Sequence, residues 1–250
     1  MVFNVTGADS IIDDITFRTG VDLTQFFLAD RVRYANEAMS IIAMIIIQAD
    51  GRMKWDDPNH TDAPISQTNI IKNQQRYNIF SAAPAVLQDW LELKRVEVLD
   101  EAGNGIELKP IDEKDLTSEA LSEFQDTPGI PEWFDMDGTE AVLYPAANYN
   151  YTLGMTFYFN RCPSYFSVSD TTKRPGIPTI FHPFISIYAA HIWNSTKKKD
   201  FSLLSEVSKY IGVPDQFGKY SGGMIGNFYS RRPAKYETPV LSNRRPKLMK

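Results

Sequence analysis

The sequence predicts an α+β protein: a helical bundle built from N- and C-terminal helices, an antiparallel β-sandwich or open-barrel excursion between them, and an extended C-terminal arm. Three observations predict it. Apolar residues recur at helical spacing near the two ends, the middle alternates apolar and polar residues with a period of two, and the stretch from Gly212 onward turns rich in Gly, Pro, Ser and Tyr. The expected boundaries are residues 1–62 and 170–211 for the bundle, 63–169 for the β domain and 212–250 for the arm.

The first helix is expected to start at Asp22 or Thr24, either of which can cap it, and to stop at Asp50-Gly51. Phe27, Tyr34, Ala38, Ile41, Ile42 and Ile45 recur at steps of three or four and mark its core face. Asp30, Arg31, Arg33 and Glu37 fall mostly elsewhere and are expected in water. A polar loop, residues 55–62, precedes the change of period. Residues 65–71 and 76–80 flank the polar turn Lys72-Asn73-Gln74-Gln75 and read as a hairpin. Residues 91–99 alternate apolar and charged side chains and return as 106–109, and residues 115–124 read as a short connecting helix. A second hairpin, 133–136 with 140–144, turns on Asp137-Gly138, and 151–161 form a last strand running to Cys162-Pro163. Helices resume after Arg174-Pro175-Gly176. Residues 180–195 carry Phe181, Phe184, Ile185, Tyr188, Ala189 and Ile192 on one broad face, and 201–211 form another helix. No βαβ crossover occurs in this order, so no dinucleotide crevice is expected.

With 250 residues and 43% hydrophobic content the chain is long enough to bury a substantial core. The longest apolar run, residues 41–47, is far shorter than the ~20 residues a bilayer demands, and no basic-then-apolar leader opens the chain, so a soluble protein that is not sent out through a signal-peptide route is expected. One cysteine, Cys162, excludes an internal disulfide. Net charge is -5 but unevenly spread: residues 231–250 hold seven basic residues against Glu237 alone, a net of +6, which leaves -11 on the rest. An acidic body is a poor clamp for duplex DNA, because phosphate binding needs clustered Lys and Arg.

Asp56, Asp57, Asn59, His60 and Asp62 offer oxygen ligands of the kind that hold a hard cation, yet they lack the glycine and terminal glutamate of an EF-hand, and Asp and Asn beside Pro58 are ordinary turn formers. Asp135, Asp137, Gly138 and Glu140 are explained by the Asp-Gly turn. His60, His182 and His191 stand in no catalytic motif, and nothing local to Cys162 lowers a thiol pKa. No catalytic residue, metal site or cofactor is expected, and the chain reads as no enzyme. Trp55, Trp90, Trp133 and Trp193 are better explained as core and interface anchors than as sugar-stacking platforms. The arm is the expected partner-binding element, with Tyr220, Phe228, Tyr229 and Tyr236 as anchors and Arg231, Arg232, Arg244 and Arg245 pairing with acidic surfaces.

The strings WDDPNHTDAPI at 55–65, PGIP at 128–131, YPAAN at 144–148 and PGIPTIFH at 175–182, with the alternating segment at 91–116, resemble the head-to-tail adaptor, connector or tail tubular proteins of tailed bacteriophages. The resemblance covers most of residues 50–190, and no motif in it carries chemistry. It implies a homo-oligomeric ring, usually of twelve subunits, docked on the portal protein in the virion, meeting downstream stopper or tail proteins and passing double-stranded DNA without tight binding; no membrane is involved. The alternative is a tail-associated receptor- or carbohydrate-binding structural module.

Overall fold

A computed structural model of the chain describes residues 1–5, 9–48, 56–79, 90–111, 127–214 and 220–230. It is mixed α+β and divides into two compact units, Met1–Lys54 with Phe166–Lys250, and Trp55–Tyr165.

The first unit is helical. Helix α1, Ile11–Thr19, begins where the Ser10 hydroxyl accepts from the Asp13 N–H at 3.0 Å and ends at Gly20, whose φ of +66° only glycine adopts freely. This helix is additional to those expected from the sequence. Helix α2, Leu28–Gln48, starts later than expected: the Asp22 carboxylate accepts from the N–H groups of Thr24 and Gln25, so it caps a separate turn ahead of the helix. Phe27 therefore lies outside the helical phase and is 60% exposed, while Tyr34 and Ile41 are half-buried. The buried stripe is Val32, Ala35, Ala38, Met39, Ile42, Ala43, Ile45 and Ile46, and it includes Arg31.

Arg31 was expected in water and is instead 0% exposed. Its guanidinium makes four hydrogen bonds to main chain and hydroxyl: Nε donates to Phe26 O at 2.8 Å, Nη1 to Ile12 O at 3.2 Å and Thr16 Oγ1 at 2.5 Å, and Nη2 to Val21 O at 3.0 Å. The group lies 4.9 Å over the Phe26 ring. Arg31 thus ties α1 and the connecting turn to α2. Burial lowers its pKa, against the pull of Asp22 and Asp13.

Helix α3, His182–Trp193, follows a 3-10 turn, Thr179–Phe181, and packs on both α1 and α2. Its Ser186 hydroxyl donates to Asp14 on α1. It runs on as a π turn, Asn194–Lys198, from which Lys198 Nζ donates to Thr19 O at 2.6 Å, setting a cation at the C-terminal end of α1. Helix α4, Leu204–Ile211, packs on α3.

The arm expected from Gly212 is not an arm in its described part. Strands β9 (Gly212–Pro214) and β10 (Tyr220–Gly222) pair antiparallel, and helix α5, Met224–Ser230, packs on α2 and α4 through the fully buried Ile225. Gly and Ser density marked tight turns there, where it was read as lack of structure. Residues 231–250 lie outside the described residues.

His182, 4% exposed, donates from Nε2 to Ile177 O at 2.9 Å and turns Nδ1 to the Met1 amino group at 3.4 Å. Burial pushes its pKa down, the Ile177 bond works against this, and the Met1 charge adds to it; burial also lowers His191. A folded pKa below the unfolded value means that stability is full above the unfolded pKa of ~6.5 and is lost as pH falls through it toward the folded value. Urea midpoints are therefore expected to fall between about pH 6.5 and 5, with a shallower fall in His182→Gln. Equal slopes in the two proteins would remove His182 from this role.

Among the described residues the regular elements of the second unit are strands. One sheet has the order β1 (Ile65–Ile70), β8 (Tyr151–Arg161), β3 (Trp90–Leu99), β4 (Gly105–Glu107); the other has β2 (Arg76–Asn78), β7 (Glu140–Tyr144), β6 (Trp133–Asp137), β5 (Lys109–Pro110). Val96, Val98, Met155, Phe157 and Phe159 of the first share one buried cluster with Tyr77, Phe134, Ala141 and Leu143 of the second. The β6–β7 hairpin turns on Gly138 at φ +61°, as the Asp-Gly pair predicted. Two expectations are corrected. Residues 65–71 and 76–80 are not a hairpin, because β1 pairs with β8 and β2 with β7. The return strand at 106–109 splits after Glu107: the chain changes sheets at buried Leu108, and β5 joins β6 in parallel. The helix expected at 115–124 lies outside the described residues.

The loop assigned to the bundle belongs to this second unit. In β8 the inward positions run Met155, Phe157, Phe159, Arg161, so the period of two carries a guanidinium into the interior, and Arg161 is 2% exposed. The 56–62 loop supplies its counter-charges. Arg161 Nε and Nη2 donate to the two Asp56 carboxylate oxygens at 2.9 and 2.8 Å, and Nη1 donates to Asp62 at 3.1 Å. The bond to Asp56 raises the Arg161 pKa and outweighs desolvation.

Candidate functional site

The residues singled out for chemistry are dispersed or already engaged. Asp56 and Asp62 hold Arg161, and Asp57 accepts from the N–H groups of Asn59 at 2.9 Å and Ser164 at 2.9 Å. His60 Nε2 meets the carbonyl oxygen of Cys162 at 3.0 Å, so this pair is joined through the backbone. Asp137 and Glu140 bind Arg76. His182 and His191 lie along α3, in the other unit. Among the described residues no group of three His, Cys, Asp or Glu side chains is arranged to hold a metal ion, and no helix is long and apolar enough to cross a membrane.

The helical unit holds an apolar cleft. Its floor is set by two local features. Pro178 leads into the 3-10 turn that presents Ile180 outward and Phe181 inward, and Gly223 lets α5 start against the end of α4. A Cβ at Gly223 would come within 2.3 Å of the Ile211 carbonyl carbon. Gly223→Ala must therefore shift backbone, and a loss of about 1–3 kcal/mol is expected in urea unfolding; a stability equal to the parent would show that α5 is not docked in this way.

With α5 held there, Met224, Asn227 and Phe228 face Ile180 and Phe181 across a cleft of about 360 Å³. Phe228 meets Phe181 edge to face, ring centroids 5.3 Å apart at 80°. Ile180 is 58% exposed, and Met224 and Phe228 are 44% and 39% exposed. Among the described residues the cleft lining has no titratable side chain and offers apolar contact and one amide.

Of the predicted arm residues, Phe228 is the one seen in this cleft. Tyr220 opens β10 and Tyr229 lies in α5, and only their backbone is described; Arg231, Arg232, Tyr236, Arg244 and Arg245 lie outside the described residues. Sequence reasoning missed Ile180, Phe181 and Met224 as surface partners. A signal was present at Ile180 and Met224, large apolar residues two positions after Pro178 and directly after Gly223. No protein-family model matches the chain, and no characterised protein matches it either.

Proposed function

We propose that the chain is a structural subunit of a tailed-phage head-to-tail connector, working as an adaptor ring under the portal and continuing the DNA channel toward the tail. The observation that carries this reading is the apolar surface of the helical unit. Phe17 is 85% exposed, and Phe27, Ile180, Phe201 and Leu204 are each at least half exposed. Large apolar side chains left in water on this scale mark surfaces that other proteins cover. In this reading the helices drawn from both chain ends form the ring-building bundle, the two sheets are the leaves of a sandwich, and the acidic body repels the sliding duplex weakly. The neighbours are a second copy, the portal above and stopper or tail proteins below, the ring having twelve subunits within the virion.

The test is oligomeric state. Mass photometry and negative-stain images of the chain mixed with its cognate portal are expected to show rings on the portal, and Phe17→Asp with Phe201→Asp to abolish them without changing the melting temperature. A chain that stays monomeric beside the portal overturns the reading.

A further inference from the structure

The β unit has a polar hollow of its own, about 230 Å³ in volume, lined by Asn69, Ile70, Ile71, Asn150, Tyr151 and Thr152. A bulge makes it. Strand β1 pairs Thr68 with Met155 and Ile70 with Tyr151, so Asn69 alone stands opposite Thr152, Leu153 and Gly154. Leu153 takes up the extra length at φ +52°, a conformation that a leucine holds only under restraint. The restraint is an amide: Asn69 Oδ1 accepts from the Leu153 N–H at 2.8 Å. A reciprocal bond crosses the same pair the other way, from the Lys72 N–H to Asn150 Oδ1, also at 2.8 Å.

These two bonds decide which end of each amide is left over. Both carbonyl oxygens are engaged by main chain, so both Nδ2 groups remain to donate elsewhere, and neither has a hydrogen-bond partner among the described residues. Asn69, Asn150 and Thr152 are exposed, and the Thr152 hydroxyl adds a group that can donate or accept. Buried Ile70, exposed Ile71 and half-buried Tyr151 supply the apolar part of the lining. Among the described residues no charged side chain lines the hollow.

The geometry points to a binding site for a neutral sugar ring, its oxygens taking hydrogen bonds from Asn69 Nδ2, Asn150 Nδ2 and Thr152 and its C–H face lying on Ile71 and Tyr151. The lining selects that chemistry. An apolar ligand would desolvate two amide donors without pairing them, and a carboxylate would find no cation to offset its lost hydration. A pyranose offers acceptors spaced around a small ring that also has an apolar face, which matches donors and apolar surface set side by side. The volume lies below the roughly 300–1,000 Å³ of sites for drug-sized ligands, so it admits one ring and leaves the rest of a longer glycan in water. The donors are held in place beforehand by their own oxygens, so little side-chain freedom is lost on binding.

The site is independent of the connector reading, and its test is done on the full chain without portal. The chain, labelled with nitrogen-15, is titrated with the methyl glycosides of glucose, galactose, mannose and N-acetylglucosamine, and with sodium acetate as the carboxylate arm. The side-chain NH2 signals of Asn69 and Asn150 are assigned from Asn69→Asp and Asn150→Asp, which keep an oxygen for the main-chain N–H and lose the donor. At least one glycoside is expected to shift both NH2 signals with a Kd of about 1–10 mM, the order that a ring of this size reaches in an open site. Acetate is expected to leave them in place. Thr152→Trp, which fills the hollow from an exposed position, is expected to weaken the sugar about tenfold or more at unchanged melting temperature. Asn150→Asp is expected to weaken it also, and because the oxygen is kept, a merely structural amide predicts no change. Signals that no glycoside moves at ten times that concentration overturn the proposal. Shifts produced equally by acetate would make this an anion site and overturn it, and full affinity in Thr152→Trp would place the sugar elsewhere. Rings formed on the portal by a chain that binds no glycoside would sink this inference and leave the connector reading standing.

Discussion

Arg31→Ala is expected to destabilise the helical unit by about 3–5 kcal/mol, enough to leave a small domain largely unfolded at physiological temperature. The substitution empties a fully buried site and takes a donor from the buried main-chain carbonyls of Val21 and Phe26, while that of Ile12 keeps the Thr16 hydroxyl at 3.0 Å. Each buried acceptor left without a donor costs about 1–3 kcal/mol, and the cavity adds to that. Arg31→Met separates the two effects, since it restores much of the volume and none of the hydrogen bonds. Arg31→Lys is expected to rescue little, because a point ammonium cannot serve acceptors spread around a planar fork. Urea unfolding followed by circular dichroism measures all three. A loss below about 1 kcal/mol for Arg31→Ala would show that the site is hydrated, and the clamp would lose its role.

Arg161→Ala is expected to cost about 2–4 kcal/mol in the β unit, less than the full penalty of an orphaned buried charge. The reason for the discount is in the partners: the Asp56 and Asp62 side chains are 33% and 44% exposed, so water takes up part of their charge once the guanidinium is gone. The two aspartates are not equivalent. The Asp56 carboxylate receives two parallel donors and the Asp62 carboxylate one, a further donor going to the Asp62 main-chain carbonyl that Asp62→Asn retains, so Asp56→Asn is expected to be the more damaging, and Asp62→Asn to fall within about 1 kcal/mol of the parent. Thermal unfolding of the three variants ranks them; a milder effect from Arg161→Ala than from Asp62→Asn would break the argument.

These two arginines show what was legible in the sequence and what was not. Strand β8 and the β6–β7 hairpin were readable because alternation and an Asp-Gly turn are local signals. Arg161 was readable from the same alternation, two positions beyond Phe159, had the period been followed through a charged residue. Arg31 stands four residues before Ala35 and seven before Ala38, on the buried stripe, but it was assigned to solvent because its charge was given more weight than its phase. Strand partners were another matter. A period of two says that a segment is half buried and says nothing of which strand it joins, so β1 and β2 read as a hairpin although they belong to different sheets. The cleft was beyond sequence reading, since it is made by residues about forty apart brought together only by packing; of its lining, Phe228 alone was anticipated as a contact residue.

The insertion of the β unit between α2 and α3 has a consequence for synthesis on the ribosome. Helices α1 and α2 emerge first, yet the apolar stripe of α2 finds its cover only when α3 is made, after the whole of residues 55–165. At elongation rates of about 5–20 residues per second the wait from Gln48 to Trp193 is roughly 7–30 s, long compared with the microseconds in which a helix forms. Throughout that interval Ile42, Ile45 and Ile46 are in water on a nascent chain, and neighbouring ribosomes on one message carry the same stripe. The β unit, contiguous in sequence, can close on its own in that time. The helical half is therefore where slow translation, a holding chaperone or a lower growth temperature decides the yield of folded protein.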